Sequence, residues 1–182
     1  MVNIYKLELT KLQLEILRVL FVKTGKSLNQ RQLANYLNVS QPAVRKALPK
    51  LEEIGFVKVN QDKETKRWLI ELNVYNDGVM KMKRADNLRQ IYESGLADFL
   101  EREFVGATII FFGSFSRGDD TINSDIDIAI IGRKEKKLNL EKFEKMLERE
   151  IRINFYDSFN AIHKNLKENI FNGIVLAGGV EL

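Results

Sequence analysis

The first 55 residues place apolar side chains at the spacing of three amphipathic helices. Apolar residues that recur every three or four positions fall on one face of a helix. The predicted helices cover residues 10–22, 30–37 and 41–54. Gly25 ends the first helix, and Asn29 and Ser40 stand at the N-cap positions of the next two. Pro42 falls in the first turn of the third helix, where its missing N–H costs little.

Residues 56–72 change from helical spacing to two short runs that are typical of strands. The runs are Phe56-Val57-Lys58-Val59 and Trp68-Leu69-Ile70-Glu71-Leu72. Between them, residues 60–67 are mostly charged or polar, as expected for the exposed tip of a hairpin. Helix, short turn and helix is the layout of a helix-turn-helix, whose second helix enters the major groove of DNA. The hairpin that follows would form a wing beside it.

The rest of the chain combines helical stretches with apolar strands. It begins with a helical pattern over residues 79–104, whose apolar stripe includes Ile91, Leu96 and Leu100. The later elements are predicted as strand 107–112, strand 125–131, helix 140–150, strand 151–156 and helix 162–170. Residues 73–78 read as the boundary between the two regions. The sequence therefore predicts two domains, 1–75 and 79–182, of mixed α+β or α/β class.

Positive charge is concentrated in the first domain. Residues 1–75 carry 13 Lys and Arg against 7 Asp and Glu, whereas the remainder carries 16 against 18. A basic domain within a chain of net charge +4 favours a polyanionic partner such as DNA. A solvated basic surface without a partner is the alternative.

The composition excludes several kinds of site and location. The chain has no cysteine, which rules out disulfides and thiolate metal sites, and its single histidine, His163, disfavours a zinc site. No apolar run approaches the length that crosses a membrane, and the first residues lack the pattern of a secretory signal. We therefore expect a soluble, cytoplasmic protein without a membrane partner.

Two carboxylates one residue apart, Asp125 and Asp127, are candidate metal ligands. Residues i and i+2 of a strand point to the same face. The two carboxylates would therefore repel each other unless a cation lay between them. Hard oxygen ligands at this spacing suit Mg²⁺, which completes its shell with waters and substrate phosphates. The pair predicts a magnesium site, with Mn²⁺ as the other ion considered.

The turn before this strand has the composition of a phosphate-binding loop. Gly113 and Ser114 interrupt the apolar run 107–112, and a glycine lets the backbone approach a ligand closely. A helix beginning at Ser114 would present free N–H groups and its positive dipole end to a phosphate. Arg117 would add a forked, charged donor. Together with the carboxylates, these residues describe a site for a metal-bound nucleoside triphosphate.

The run GSFSRG, a short polar spacer and SDIDIAI together resemble the signature of the minimal nucleotidyltransferase domains of the polymerase-beta superfamily. The resemblance covers residues 80–182 and implies a short mixed sheet flanked by helices. It also implies that Asp125 and Asp127 are catalytic metal ligands and that ATP is the first candidate nucleotide. The residues that it places on the nucleotide are Gly113, Ser114, Arg117 and Ser124.

The resembling family generally holds its metals with a third carboxylate from a later strand, within an apolar-Asp-apolar-apolar pattern. Here that strand reads Ile-Asn-Phe-Tyr, so the third position is expected to hold Asn154, which lacks the charge that would activate a hydroxyl. Glu150 is one substitute, and Asp157 is another if the strand is shifted. The alternative is loss of the third carboxylate, in which nucleotide and metal would still bind through Gly113, Ser114, Asp125 and Asp127 while transfer is in question.

Residues 8–75 resemble a winged helix-turn-helix domain of the MarR-like type. The resemblance implies a domain that binds double-stranded DNA, and winged-helix proteins commonly bind paired half-sites as homodimers. Gln41, Arg45 and Lys46 lie off the apolar stripe of the third helix and are expected to face DNA. The wing cations expected to hold phosphates are Lys63, Lys66 and Arg67. In the alternative, these charges are only solvated, and the domain mediates dimer or partner contacts.

Two functions follow from the combined resemblances. In the first, the chain is a Mg-dependent nucleotidyltransferase that moves a nucleotidyl group from ATP, or another triphosphate, onto a hydroxyl. Stand-alone minimal nucleotidyltransferases imply an antitoxin-like role with a HEPN-type protein partner, and a small molecule is the other class of acceptor. In the second, the chain is a DNA-binding transcriptional regulator whose degenerate transferase domain binds nucleotide or dimerises without turnover. A protein-interaction module with neither activity is a third alternative.

Overall fold

The computed structural model describes residues 8–64 and 66–180 of the chain. The chain divides into two compact units, Met1–Val79 and Met80–Leu182, each with its own sheet and core. Within the described ranges, every helix is too short or too polar to span a membrane.

The described part of the first unit consists of three helices and three strands. Their bounds are α1 (Lys11–Val22), β1 (Leu28–Asn29), α2 (Gln30–Leu37), α3 (Gln41–Glu53), β2 (Val57–Gln61) and β3 (Trp68–Leu72). Each helix begins at a side chain that accepts a backbone N–H bond, namely Thr10, Asn29 and Ser40. Caps of this kind stabilise a helix by about 1 kcal/mol each. The three predicted helices are confirmed.

The sheet of the first unit contains a strand that the pattern did not predict. The strand order is β1-β3-β2, and all neighbours are antiparallel. β1 has only two residues, which is too few for alternation to be visible, and its second residue, Asn29, already caps α2. The predicted stripe of α3 is buried, as shown by Val44, Leu48 and Leu51. This packing leaves the opposite face of α3 open to solvent.

The single helix predicted over residues 79–104 is two helices, so that prediction was wrong. α4 (Asp77–Glu93) and α5 (Leu96–Glu103) are separated by Gly95, which has a φ of +76°. A residue in the left-handed region ends helical geometry, and glycine adopts it without a Cβ clash. The apolar spacing continues across the break because Leu96 and Leu100 join the same core as Ile91.

The second unit is built on a mixed sheet. Its remaining elements are β4 (Thr108–Phe112), α6 (Gly113–Arg117), β5 (Ile126–Ile131), α7 (Glu141–Leu147), β6 (Ile151–Tyr156), a 3-10 turn (Phe159–Ala161), α8 (Lys164–Phe171) and β7 (Ile174–Ala177). The strand order is β6-β5-β4-β7. β5 and β6 are parallel, whereas β4 is antiparallel to both of its neighbours. A winged helix followed by a short mixed sheet with flanking helices is the predicted fold class, which is confirmed.

Alternation along β4 and β5 directs apolar side chains to both faces of this sheet. The cluster on one face includes Phe111 and Ile128 together with Leu100 of α5. The cluster on the other face includes Ile110, with Ile170 of α8. Burying a side chain of this size stabilises the fold by about 1.5–3 kcal/mol. β5 is therefore a central, buried strand that holds the residues at its start in a fixed place.

Candidate functional site

Asp125 and Asp127 lie at the start of β5, beside the turn that leads from β4 into α6. Asp127 is the second residue of β5 and pairs with Phe112, the last residue of β4. Asp125 comes just before the strand, and both side chains are half-buried. Gly113 directly follows Phe112. The fold thus brings the Gly-Ser turn and the two carboxylates together.

Gly113 leaves the space that the Asp127 side chain occupies. Its φ is +79°, and a Cβ added to it would lie 2.3 Å from Asp127 Oδ2 and 3.2 Å from the Cβ and Cγ of the same residue. Both the backbone conformation and the available space therefore require glycine. The close approach expected at Gly113 is made to a carboxylate of the chain itself.

The two serines assigned to the nucleotide occupy different settings. Ser114 is half-buried in α6, a helix of five residues that directly follows β4. Ser124 Oγ accepts a hydrogen bond from the backbone N–H of Thr121 at 2.9 Å. Ser124 therefore shapes the turn that leads to Asp125, while Ser114 lies next to Gly113.

Arg117 is held in place by two polar side chains. Its Nε donates to Asp119 Oδ2 at 3.2 Å, and its Nη1 donates to Asn169 Oδ1 at 2.8 Å. Its charge still acts on Asp127, whose pKa it lowers. Arg117 therefore adds positive potential to the site from a fixed position.

The strand next to β5 brings an arginine to the two aspartates. In the parallel pairing of β5 with β6, Asp127 lies opposite Arg152, and Ala129 lies opposite Asn154. Arg152 Nη1 is 2.9 Å from Asp125 Oδ2. The residue of β6 beside Asp127 is therefore Arg152, and Asn154, expected at the third metal position, lies two residues further along the same face.

Neither of the carboxylates considered as substitutes completes a metal site. Glu150 lies just before β6, with its Oε1 3.4 Å from Arg152 Nε. Asp157 follows the last residue of β6, at the other end of that strand. Among the residues that the structure describes, no group of three or more His, Cys, Asp or Glu side chains could hold a metal ion. The donor set does not fit the three-carboxylate metal site that the resemblance implies.

The electrostatics of Asp127 reflect this crowded setting. Burial raises the pKa of the Asp127 carboxyl, and repulsion from Asp125 raises it further. Arg152 and Arg117 lower the pKa, but by less than the other two effects raise it. The ionised form of Asp127 therefore lowers the stability of the folded protein.

Replacing Asp127 with asparagine is expected to raise the melting temperature at neutral pH. A folded-state pKa above the unfolded value means that ionisation costs stability at every pH above the folded-state pKa. Asparagine keeps the shape of the side chain and removes the cost of ionisation. In the wild type that cost also disappears as the pH falls from the folded-state pKa of Asp127 to its unfolded-state value. Thermal melts followed by circular dichroism should therefore converge for the two proteins toward about pH 3. A variant that melts below the wild type at neutral pH would contradict this expectation.

A buried polar network, which was not predicted, lies beside the loop between α6 and β5. Lys83 of α4 is fully buried, and its Nζ donates to the backbone oxygens of Gly118 at 3.2 Å and Asp120 at 3.0 Å. The same Nζ contacts the Asp120 carboxylate. Asn87 donates to Asp120 Oδ1 at 2.7 Å and to the backbone oxygen of Phe115 at 2.8 Å. The network anchors the first residues of the loop, together with Phe115 of α6, to α4.

Asp120 faces two buried cations in this network. Arg149 Nη2 lies 3.4 Å from Asp120 Oδ2, and both side chains are almost fully buried. Burial lowers the pKa of Lys83, and Asp120 opposes that effect. Removing the Asp120 charge would leave Lys83 and Arg149 together in a poorly solvated space.

In the first unit, α3 presents the residues predicted to face DNA. Gln41, Arg45 and Lys46 are exposed, whereas Val44 and Leu48 on the same helix are buried. The helix therefore has a polar, cationic face directed at solvent.

The hairpin between β2 and β3 carries the predicted wing cations. Lys63, Lys66 and Arg67 are all exposed. A cleft of about 340 Å³ includes Arg31 of α2, Gln41 of α3 and Arg67 in its lining. The helices and the wing thus share one polar surface, to which Arg31, not predicted, also contributes.

A cavity of about 940 Å³ lies at the other end of the second sheet. Its lining includes Thr108 at the start of β4, Ile131 at the end of β5 and Gly178 after β7. Asp127 is near the start of β5. This cavity is therefore separate from the residues predicted to bind nucleotide.

Comparisons with known families match both parts of the chain. Residues 93–176 match the family described as nucleotidyltransferase domain, and residues 9–68 match the MarR family. The first match includes every residue predicted to bind nucleotide or metal, and the second includes every residue predicted to bind DNA. No curated protein matches the chain at a significant level.

Part of the chain is also similar to solved structures of three bacterial proteins. A complex of S. aureus MepR with DNA is 23% identical and covers 53% of this chain and 82% of its own, with a TM-score of 0.39. Lactococcus lactis ZitR is 24% identical, and the match covers 57% of this chain and 68% of the ZitR chain, with a TM-score of 0.39. The adhesin competence repressor AdcR of Streptococcus pyogenes is 23% identical. The match covers 53% of this chain and 69% of the AdcR chain, with a TM-score of 0.40.

Proposed function

We propose that this chain, in which a MarR family domain precedes a nucleotidyltransferase domain, is a DNA-binding regulator that binds a nucleoside triphosphate, with ATP as the first candidate. The observation that carries the proposal is the surface of α3. It buries its apolar stripe and exposes Gln41, Arg45 and Lys46 within the region that matches the MarR family. A cationic recognition helix beside a cationic wing suits double-stranded DNA.

The helix and the wing have different roles in this proposal. Lys63 and Arg67 of the wing neutralise phosphates, which sets the position of the protein on the duplex. Gln41 and Arg45 of the helix contact base edges, because glutamine pairs well with adenine and arginine with guanine in the major groove. A homodimer would place two such helices on successive half-sites.

The second domain supplies the nucleotide site. Gly113 and Ser114 follow β4 where the backbone comes close to Asp127, and Arg117 and Arg152 add positive charge beside that carboxylate. Backbone N–H groups and guanidinium groups are the donors that hold phosphates in proteins. A nucleotide that prefers one state of the protein would change its affinity for DNA by linkage.

Nucleotidyl transfer is the second candidate function. The GSFSRG run and the Asp125–Asp127 pair, within a region that matches the nucleotidyltransferase domain, favour it. The acceptor would be a hydroxyl of a HEPN-type protein or of a small molecule. Both functions require a nucleotide at the same place. Incubation with ATP labelled on its α-phosphate separates them, because only transfer leaves label on an acceptor.

Removing two cations from α3 is expected to weaken DNA binding at least tenfold. In Arg45→Ala/Lys46→Ala, each lost phosphate contact lowers the slope of log K against log salt by about one, and each lost base contact weakens binding by about 1–3 kcal/mol. Fluorescence anisotropy with labelled random-sequence duplexes over a salt series measures the loss of affinity and the change in salt slope.

The matched control is Lys142→Ala/Lys145→Ala, which removes the same charge from exposed positions on α7. It should leave affinity and salt slope near those of the wild type. A wild type that does not bind duplex at low salt, or a control that loses as much affinity as the α3 variant, would overturn the assignment of α3 as the DNA-binding face.

A further inference from the structure

We infer that the guanidinium of Arg152 takes the place of a divalent ion beside Asp125 and Asp127, so that this site binds its nucleotide without metal. The inference deepens the proposed function. It rests on that function because it takes this face of the domain to be the nucleotide site. The two side chains that carry it are those of Arg152 and Asp125, whose Nη1 and Oδ2 atoms are 2.9 Å apart.

The register of the sheet places Arg152 beside Asp127. β6 is parallel to β5, and Arg152 pairs directly with Asp127. Partners in register extend their side chains to the same face of a sheet. The guanidinium therefore lies on the face that carries the two carboxylates, and it is already bound to one of them.

Two arginines reduce the negative charge that the pair offers to a metal. Arg152 and Arg117 both act on Asp127 and offset part of its repulsion from Asp125, although each arginine also contacts a second carboxylate, Glu150 and Asp119 respectively. A bare pair of carboxylates this close calls for a cation. Here the chain supplies that cation itself.

The positive charge of the guanidinium disfavours a metal on the carboxylate oxygen that it occupies. Arginine stays protonated and has only N–H donors, so it offers no lone pair to an ion. Mg²⁺ requires near-octahedral oxygen ligands at short distance. A metal bound to Asp125 Oδ2 would displace Arg152 and then meet its positive charge across the same face.

The inference separates binding from transfer. Phosphate oxygens beside Asp125 would meet the forked donors of Arg152, which suit phosphate geometry. The residue opposite Asp127 is a cation, and a cation would not activate an attacking hydroxyl. The domain would therefore detect a nucleotide rather than transfer its nucleotidyl group.

The test is a titration of the full-length protein with Mn²⁺ alone, followed by the electron paramagnetic resonance signal of free Mn²⁺. The proteins compared are the wild type, Arg152→Asp and Asn154→Asp. The wild type and Asn154→Asp are expected to show no saturable site. Arg152→Asp is expected to show a saturable site, at least about tenfold tighter than any residual binding by the other two, because each unit of charge about 4 Å from a divalent ion changes affinity by roughly an order of magnitude even in water.

The outcomes show whether Arg152 or Asn154 controls metal binding. A saturable site in the wild type that is lost in Asp125→Asn/Asp127→Asn would overturn the inference, as would a gain in Asn154→Asp that matches or exceeds the gain in Arg152→Asp. A flat titration for all three folded proteins would also overturn it, because something other than Arg152 would then exclude the metal. Arg152 is exposed, and a circular dichroism melt checks that its variant is folded.

This experiment is independent of nucleotide. If the wild type binds both Mn²⁺ and ATP, the proposed function is supported and the inference is refuted. If the wild type binds neither Mn²⁺ nor ATP, and Arg152→Asp gains Mn²⁺ binding, the role of Arg152 is supported and the nucleotide site is refuted.

Discussion

Replacing Asp120 with asparagine is expected to lower the free energy of unfolding of the second domain by about 3–5 kcal/mol. Asp120 is fully buried and faces both Lys83 and Arg149, which are also buried. The asparagine keeps the size of the side chain and removes the one negative charge that the two cations share within this network. Breaking a buried ion pair from one side costs more than the pair contributes, because the remaining charge stays desolvated.

Thermal unfolding followed by circular dichroism measures this loss. For a domain of about 100 residues, 1 kcal/mol corresponds to about 4–8 °C, so the melting temperature should fall by more than about 10 °C. The control is Asp119→Asn, the same substitution one residue earlier. Asp119 is exposed and pairs with Arg117 at 3.2 Å, and surface pairs contribute about 0–1 kcal/mol. Equal losses in the two variants would refute a special role for the buried network.

The second large effect is expected at Gly113. Gly113→Ala should abolish measurable nucleotide binding, because the new methyl group would lie 2.3 Å from Asp127 Oδ2 and 3.2 Å from its Cβ and Cγ. The Asp127 side chain must then move, next to the turn at Gly113 and Ser114 where the phosphates are proposed to bind. Isothermal titration calorimetry with ATP measures the loss directly.

Backbone strain at Gly113 requires a matched control, and Gly95 provides it. Gly95 has a φ of +76°, close to the +79° of Gly113, and a Cβ at Gly95 would meet nothing within 4 Å. Both alanine variants should lose about 1–2 kcal/mol of stability from the left-handed backbone. Only Gly113→Ala should lose ATP binding. Loss of binding in both variants would show that the effect is one of stability and not of contact with the site.

Local signals in the sequence were sufficient to predict most of the elements. Cap residues and apolar spacing predicted α2 and α3, and they were confirmed within one residue. The prediction failed at Gly95, because the apolar stripe continues across the break and a glycine in a helical pattern does not reveal its φ. β1 was missed because two residues show no period.

The central features of the candidate site depend on contacts that no local pattern contains. The pairing of Asp127 with Arg152 follows from the parallel register of β5 and β6, and a shift of two residues along a strand changes the neighbour without changing the face. Alternation alone could therefore not distinguish Arg152 from Asn154. The network around Asp120 joins residues up to 37 positions apart, and its one sequence signal was the four-residue spacing of Lys83 and Asn87 on a helix.

Calorimetric titration of ATP into the full chain, first with EDTA and then with Mg²⁺, tests most directly whether the second domain is a nucleotide site. We predict saturable binding in both conditions with similar Kd values, lost in Gly113→Ala and retained in Gly95→Ala. Binding that appears only with Mg²⁺ would keep the nucleotide site and reject the role of Arg152 as the cation. The absence of binding by the wild type in both conditions, for ATP and the other nucleoside triphosphates, would contradict a nucleotide-binding regulator.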